Sequence, residues 1–134
     1  MSCIFCKIIN KEIPSSVVYE NEYVVAILDL SQANEGHTLV MPKKHFDNIL
    51  QMDDVNYQEL MKAVHIVSKA IDKAFKPEGI NIINNCKEAA GQTVMHTHVH
   101  IIPRYKNDSI KMEYANNEGK FNLEDVKNKI INSL

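Results

Sequence analysis

One stretch limits what this chain can fold into more than any other: residues 95–105, MHTHVHIIPRY. Three of the six histidines, His96, His98 and His100, fall there at every second position, followed by Ile101, Ile102 and Pro103. Alternation with a β-branched flank reads as a strand. Side chains i, i+2 and i+4 of a strand share one face, so the imidazoles form a ladder in steps of about 7 Å. The opposite face is largely apolar. A single histidine in such a place reads as a satisfied structural residue. Three in register each need polar partners if buried, which points to chemistry on this strand.

The rest of the composition narrows the class. At 134 residues, 45% of them hydrophobic, the chain suits one compact domain spanning residues 1–134. A net charge of −2 leaves no electrostatic footprint for a nucleic-acid polymer. No apolar run approaches the roughly 20 residues of a membrane span. The opening CIFCKII is short and broken by Lys7, unlike a secretion signal. The expected location is the cytoplasm, without a membrane partner. There, the Cys3-x-x-Cys6 pair favours metal binding or redox chemistry over a structural disulfide.

Pattern places the elements. Residues 3–11 suit a short helix with Ile4, Phe5, Ile8 and Ile9 inward, ending before Pro14. Residues 17–20 and 23–30 read as a β-hairpin around Asn21-Glu22, with Asp29 where the second strand opens into a loop. A further strand runs over 37–41 and is stopped by Pro42. Asp53 and Asp54 start a helix over 55–75, whose Leu60, Val64, Val67, Ile71 and Phe75 repeat at helical spacing and cover the sheet. His65 on that helix is an ordinary exposed histidine. Residues 80–84 form a strand, 85–93 a polar loop, then the histidine strand ended by Pro103. The tail, residues 106–134, is weakly patterned until a last amphipathic helix over 123–134. Hairpins and one long helix without βαβ alternation argue for α+β with an antiparallel sheet.

The chemistry gathers near the ladder. His37, after Gly36, begins a neighbouring strand. The loop AAGQTV places Gly91, Gln92 and Thr93 just upstream, where glycine admits close backbone approach and successive amides form an anion nest. Donors for an anion beside neutral imidazoles point to a phosphoryl or acyl centre. With a reference pKa of about 6.5, imidazole is mostly neutral and nucleophilic near pH 7. His98, flanked on both sides, is the natural nucleophile, and covalent catalysis would split a hard displacement into two easier ones.

The segment GQTVMHTHVHIIPRY resembles the histidine triad (HIT) motif, in which histidines alternate with hydrophobic residues. Thr97 departs from that pattern mildly. CIFCKIINKEIPSS, AILDLSQANEGHTLVMPKKH and AAGQTV are also similar to the Hint-type branch and its bacterial relatives. The resemblance covers roughly residues 3–105 and implies a HIT-like fold: a five-stranded antiparallel sheet, one long helix and short terminal helices. It further implies a homodimer with a continuous ten-stranded sheet. The implied activity is hydrolysis or transfer at the α-phosphate of purine nucleoside phosphoramidates or dinucleoside polyphosphates, with no catalytic metal. On this resemblance His98 forms a nucleotidyl-histidine intermediate. His100 contacts the phosphate and supports the leaving-group step, and His37 lines the same pocket. Asp29 takes the ribose hydroxyls, Leu30 lies against the base, and Asn85 sits beside the ribose-phosphate. Gly91, Gln92 and Thr93 form the phosphate loop, with Phe5, Ile8 and Ile27 as walls for the base. Cys86 stands where relatives often have glycine, and the tail lacks the tryptophan of typical Hint proteins.

The cysteine pair needs two more ligands to close a tetrahedral zinc site. Related bacterial HIT proteins that keep the pair imply His45 and His96 for that role, giving a structural zinc. His96 lies roughly 13 Å along the strand from His100, so the triad divides between structure and chemistry. Two rival readings are a zinc hydrolase with its metal on His96 and His98, and a nucleotide-binding adaptor that keeps the pocket without turnover.

Overall fold

The computed structural model describes residues 2–134. Among them, five strands build one sheet in the order β1-β2-β3-β5-β4, every neighbouring pair antiparallel. The strands are β1 (Val17–Glu20), β2 (Val24–Leu28), β3 (Thr38–Pro42), β4 (Gly79–Asn84) and β5 (Val99–Arg104). Helices α1 (Ile4–Ile9), α2 (Asp54–Phe75) and α3 (Leu123–Ile131), with short 3-10 turns at Ile49–Gln51 and Glu88–Ala90, complete the described elements. The expected α+β architecture is present.

Period-two alternation sorts the core into two layers. Val24 and Ala26 of β2, Val40 of β3 and Val99 and Ile101 of β5 face α2, meeting Leu60, Val64, Val67 and Ile71. Val25, Ile27, Leu39 and Met41 point the other way and pack on Phe5 of α1. Because both faces are covered, β2 and β3 read as near-continuous apolar runs. Asp53 caps α2 by accepting from the Asn56 amide at 2.9 Å. His65 is exposed. The side of the sheet that carries α1 is also the side on which His100 projects, opposite Leu39 in the β3–β5 register.

Several boundaries differ from expectation: β2 ends at Leu28, before Asp29, and β3 starts at Thr38, just after His37. Strand β3 runs through Pro42 and β5 runs through Pro103 to Arg104. Both prolines sit where β3 and β5 no longer pair with each other, since that ladder covers only Thr38–Val40 against Val99–Ile101. Each therefore lacks the neighbour to which an amide would have donated. Conversely, β5 starts only at Val99, so His96 and His98 precede the strand instead of lying within it. Thr97 is the cause: its amide and hydroxyl both donate to the Phe46 carbonyl, at 2.7 and 3.0 Å, which draws the segment off the ladder. Helix α3 forms as expected but presents Leu123, Val126 and Ile130 to solvent.

Candidate active site and metal centre

The histidines divide into two groups on the α1 side of the sheet. In the first, hydrogen bonds fix every proton. The Ala33 amide can only donate, so Nδ1 of His37, 3.1 Å away, is an acceptor. Its Nε2–H therefore donates to Nδ1 of His100 at 2.9 Å, and the His100 proton must sit on Nε2. A carboxylate oxygen of Asp29 lies 3.6 Å from the same His37 Nε2. His98 has the opposite arrangement. Its Nδ1–H donates to the His96 carbonyl at 2.8 Å, leaving the Nε2 lone pair without a partner among the described residues and still reachable by solvent. The two rings lie 5.1 Å apart between centroids. One cavity thus receives a bare nitrogen from His98 and an N–H from His100.

Burial favours the neutral rings. It lowers the pKa of His98, opposed by the His96 carbonyl and Asp29. It lowers His37, opposed by Asp29. Burial, reinforced by His98 and His37, takes His100 down to about 4.

The cavity they face has a volume of about 320 Å³, within the range of small-ligand pockets. Asp29, Leu30, Asn85, Gly91 and Thr93 line it, as do Phe5, Ile8 and Ile27 on the apolar side. Ile4, Leu28, Leu39 and Val94 complete the apolar lining; their side chains gave no signal in the sequence beyond hydrophobicity. Two expected residues lie elsewhere. His37 does not line the cavity and stands behind His100 as its hydrogen-bond donor. Gln92 is 2% exposed and turned into its own loop. There its side chain accepts from the Lys87 amide at 2.7 Å and donates to the carbonyls of Asp47 and Val94 at 2.6 and 3.0 Å. The amides of Gly91 and Gln92 are likewise spent on Glu88 and Lys87, so they do not form the expected anion nest. The Thr93 amide and hydroxyl have no partner among the described residues, and Thr93 lines both this cavity and a neighbouring one beside Cys3 and His45. Gly91 has φ +98, a conformation costly for other residues. Asn84 was not singled out by sequence, yet its side-chain amide donates to the His98 carbonyl at 3.0 Å. A groove of similar size between α2 and β1–β2, lined by Val18, Leu28, Ile66 and Phe75 among others, is almost wholly apolar and offers no acid–base chemistry.

The second group is Cys3, Cys6, His45 and His96, whose four ligand atoms lie within 4.8 Å of one another. Here too the outer contacts fix the tautomers. Nε2–H of His96 donates to the Pro42 carbonyl at 2.8 Å, and Nε2–H of His45 to Asp47 at 2.8 Å. Both Nδ1 lone pairs therefore point inward, 3.2 Å apart, a repulsive contact unless a cation lies between them. Cys3 Sγ lies 3.5 Å from His96 Nδ1, and Cys6 Sγ lies 3.4 and 3.6 Å from the Nδ1 atoms of His45 and His96. Zn–N bonds of about 2.05 Å and Zn–S bonds of about 2.3 Å in a tetrahedron require edges of roughly 3.3 and 3.6 Å. The donor set fits zinc in chemistry and in size, and carbonyl and carboxylate partners orient its imidazoles as metal sites require. Cys3 also caps α1, its sulfur accepting from the Cys6 amide at 3.4 Å. His96 and His98 do not converge on one point, which removes the arrangement a zinc hydrolase on those two residues needs. Asp29, His37 and His100 also cluster as possible ligands, but there the matched proton and lone pair already account for the short contact.

A sequence model of the family described as HIT domain matches residues 10–107. The chain is 45% identical over 128 residues to "Protein hit" of Bacillus subtilis, covering 95% of this chain and 88% of that protein. It is 38% identical to the adenosine 5'-monophosphoramidase hnt1 of Schizosaccharomyces pombe, over 78% of this chain and 75% of the relative. The crystal structure of a HIT family member from Bacillus subtilis superposes with a TM-score of 0.95 at 41% identity, covering 100% of this chain and 98% of that one. A Zn-bound histidine triad family protein from Mycobacterium smegmatis gives 0.78 at 32% identity, covering 86% and 84%. The chain belongs to the HIT family.

Proposed function

We propose that the chain is a nucleotide hydrolase or transferase acting at the α-phosphate of purine nucleoside phosphoramidates or dinucleoside polyphosphates. The observation that carries this reading is the opposed protonation of two neighbouring rings at one cavity, a bare Nε2 on His98 and an Nε2–H on His100. Kinship with a monophosphoramidase supports the substrate class.

In the first step the His98 lone pair forms a bond to the α-phosphorus while the bond from phosphorus to the leaving nitrogen or oxygen breaks; the leaving atom takes its proton from water. His100 donates a hydrogen bond to the phosphoryl oxygens, with His37 holding its tautomer, and Thr93 adds donors from the opposite loop. In the second step a water oxygen attacks phosphorus, the electron pair returns to His98, and the water's proton is released to solvent. Asp29 accepts from the ribose, Asn85 sits beside the ribose-phosphate, Gly91 admits close approach, and Leu30 with Phe5, Ile8 and Ile27 encloses the base. One preorganised donor on the developing phosphoryl charge is worth roughly 10²- to 10³-fold.

Cys3, Cys6, His45 and His96 would hold a structural zinc, remote from the reacting phosphorus. A homodimer is part of the same reading: β4 is an edge strand whose Ile82 is 51% exposed, and such an edge invites a second copy. Residues 1–134 act as one HIT unit in this reading, with 106–134 its variable part. Among the described residues no helix is long and apolar enough to cross a membrane. A substrate panel at fixed pH tests the assignment: turnover of an adenosine phosphoramidate or a dinucleoside polyphosphate is expected, and inertness toward both would contradict it.

A further inference from the structure

His98 stands one residue before β5, and its carbonyl accepts from the Asn84 side-chain amide at 3.0 Å. Its ring is held from the side of the metal-ligand cluster. Its Nδ1–H rests on the His96 carbonyl, and the His96 ring is one of the four donors. The second link is Phe5. It falls between Cys3 and Cys6 in the chain, at the start of α1, and is 7% exposed. Its ring meets His96 and His98 nearly edge-on, with centroids at 5.9 and 5.0 Å. Ile4 and Ile8 on the same short helix line the nucleotide cavity. A helix of six residues has little stability of its own, so its placement depends on outside contacts: Phe5 packed on the sheet, and Cys3 and Cys6, at its N-cap and in its first turn, in the cluster.

We propose that this cluster is a positioning element for the reaction: zinc bound there orders α1 and His96, and through Phe5 and the His96 carbonyl it orders His98 and one wall of the nucleotide cavity. Phe5 is the positioning residue. The proposal rests on the nucleotide reading of the cavity and on zinc at the cluster. Coupling between two binding sites is reciprocal in free energy, so a nucleotide in the cavity must tighten zinc in the cluster, although the two ligands do not touch the same donors.

The test follows the metal. Zinc affinity of the full-length protein is measured by equilibrium competition with a chromophoric chelator, with and without saturating AMP, while calorimetry monitors AMP binding. AMP is expected to tighten zinc about fivefold or more, the lower range of measured couplings. Phe5→Leu keeps all four ligands; at an AMP concentration shown by calorimetry to saturate this variant too, it is expected to bind one zinc and to bring the AMP effect close to one. Unchanged zinc affinity in wild type with AMP demonstrably bound overturns the coupling and leaves the nucleotide reading intact. Failure to bind AMP at all overturns that reading and the coupling with it, and failure to bind zinc overturns the cluster's role. A full AMP effect in Phe5→Leu overturns the assignment of Phe5. If that variant does not fold, the wild-type comparison decides alone.

Discussion

Nε2 of His37 donates to Nδ1 of His100 across 2.9 Å, and the Ala33 amide behind His37 permits no other direction. On the proposed mechanism His37 would act through His100, by keeping the proton of His100 on the nitrogen that faces the cavity. Replacing it by alanine should lower kcat by about 10²-fold, the scale of a misplaced catalytic group, with little change in KM. Steady-state kinetics on His37→Ala checks this; His37→Gln, which retains a donor, should recover part of the loss.

The buried rings set a direction for pH. His100 titrates near 4 in the folded chain, against about 6.5 when unfolded, and His37 and His98 shift the same way. Between those values the unfolded chain binds more protons, so stability rises with pH. The contribution is complete above about 6.5 and is lost as pH falls toward 4. Melting temperatures measured from pH 7 to 4 should fall over that window, and less steeply in His100→Gln. Turnover should fall on the same acid side, because a protonated His98 has no lone pair.

Metal removal should cost stability. Losing a ligand from a structural zinc site removes a few kcal/mol of folding free energy; for a chain of this size each kcal/mol is worth roughly 3–5 °C. Cys3→Ser should therefore melt about 10 °C or more below wild type and lose its zinc on purification, as read by calorimetry and metal analysis. A wild type that is metal-free and equally stable contradicts the site.

Gln92 carries a prediction that its sequence position disguised. Within AAGQTV an amide beside a phosphate loop reads as a ligand contact, yet the side chain is buried and makes three hydrogen bonds that close the loop. Gln92→Leu leaves the Lys87 amide and two carbonyls unpaired and should destabilise by about 2–4 kcal/mol, seen in denaturant melts, with nucleotide affinity falling as Gly91 and Thr93 shift.

The same case shows where the sequence is legible. Period-two and helical spacing determine layers, so the elements and the face that bears His100 follow from local pattern. The division of the triad followed from resemblance and from the length of a strand. The departures are all non-local. Pro42 and Pro103 stay in strands because of where their neighbours stop pairing. His96 and His98 leave the strand because Thr97 bonds to Phe46, fifty-one residues away. Asp108 looked like part of a patternless tail, yet it accepts from Arg104, Asn34 and the Tyr105 amide, and Arg104 and these partners hold its carboxyl well below the usual carboxylate range. No periodicity announces a contact made once.

In the proposed mechanism everything turns on the His98 lone pair attacking phosphorus. Intact-protein mass spectrometry of a rapidly quenched reaction with an adenosine phosphoramidate tests it directly. Wild type should gain the mass of one adenylyl group, transiently, while a folded, zinc-containing His98→Ala gains none and turns over negligibly. Near-wild-type turnover by His98→Ala, or the same adduct on that variant, would contradict the account.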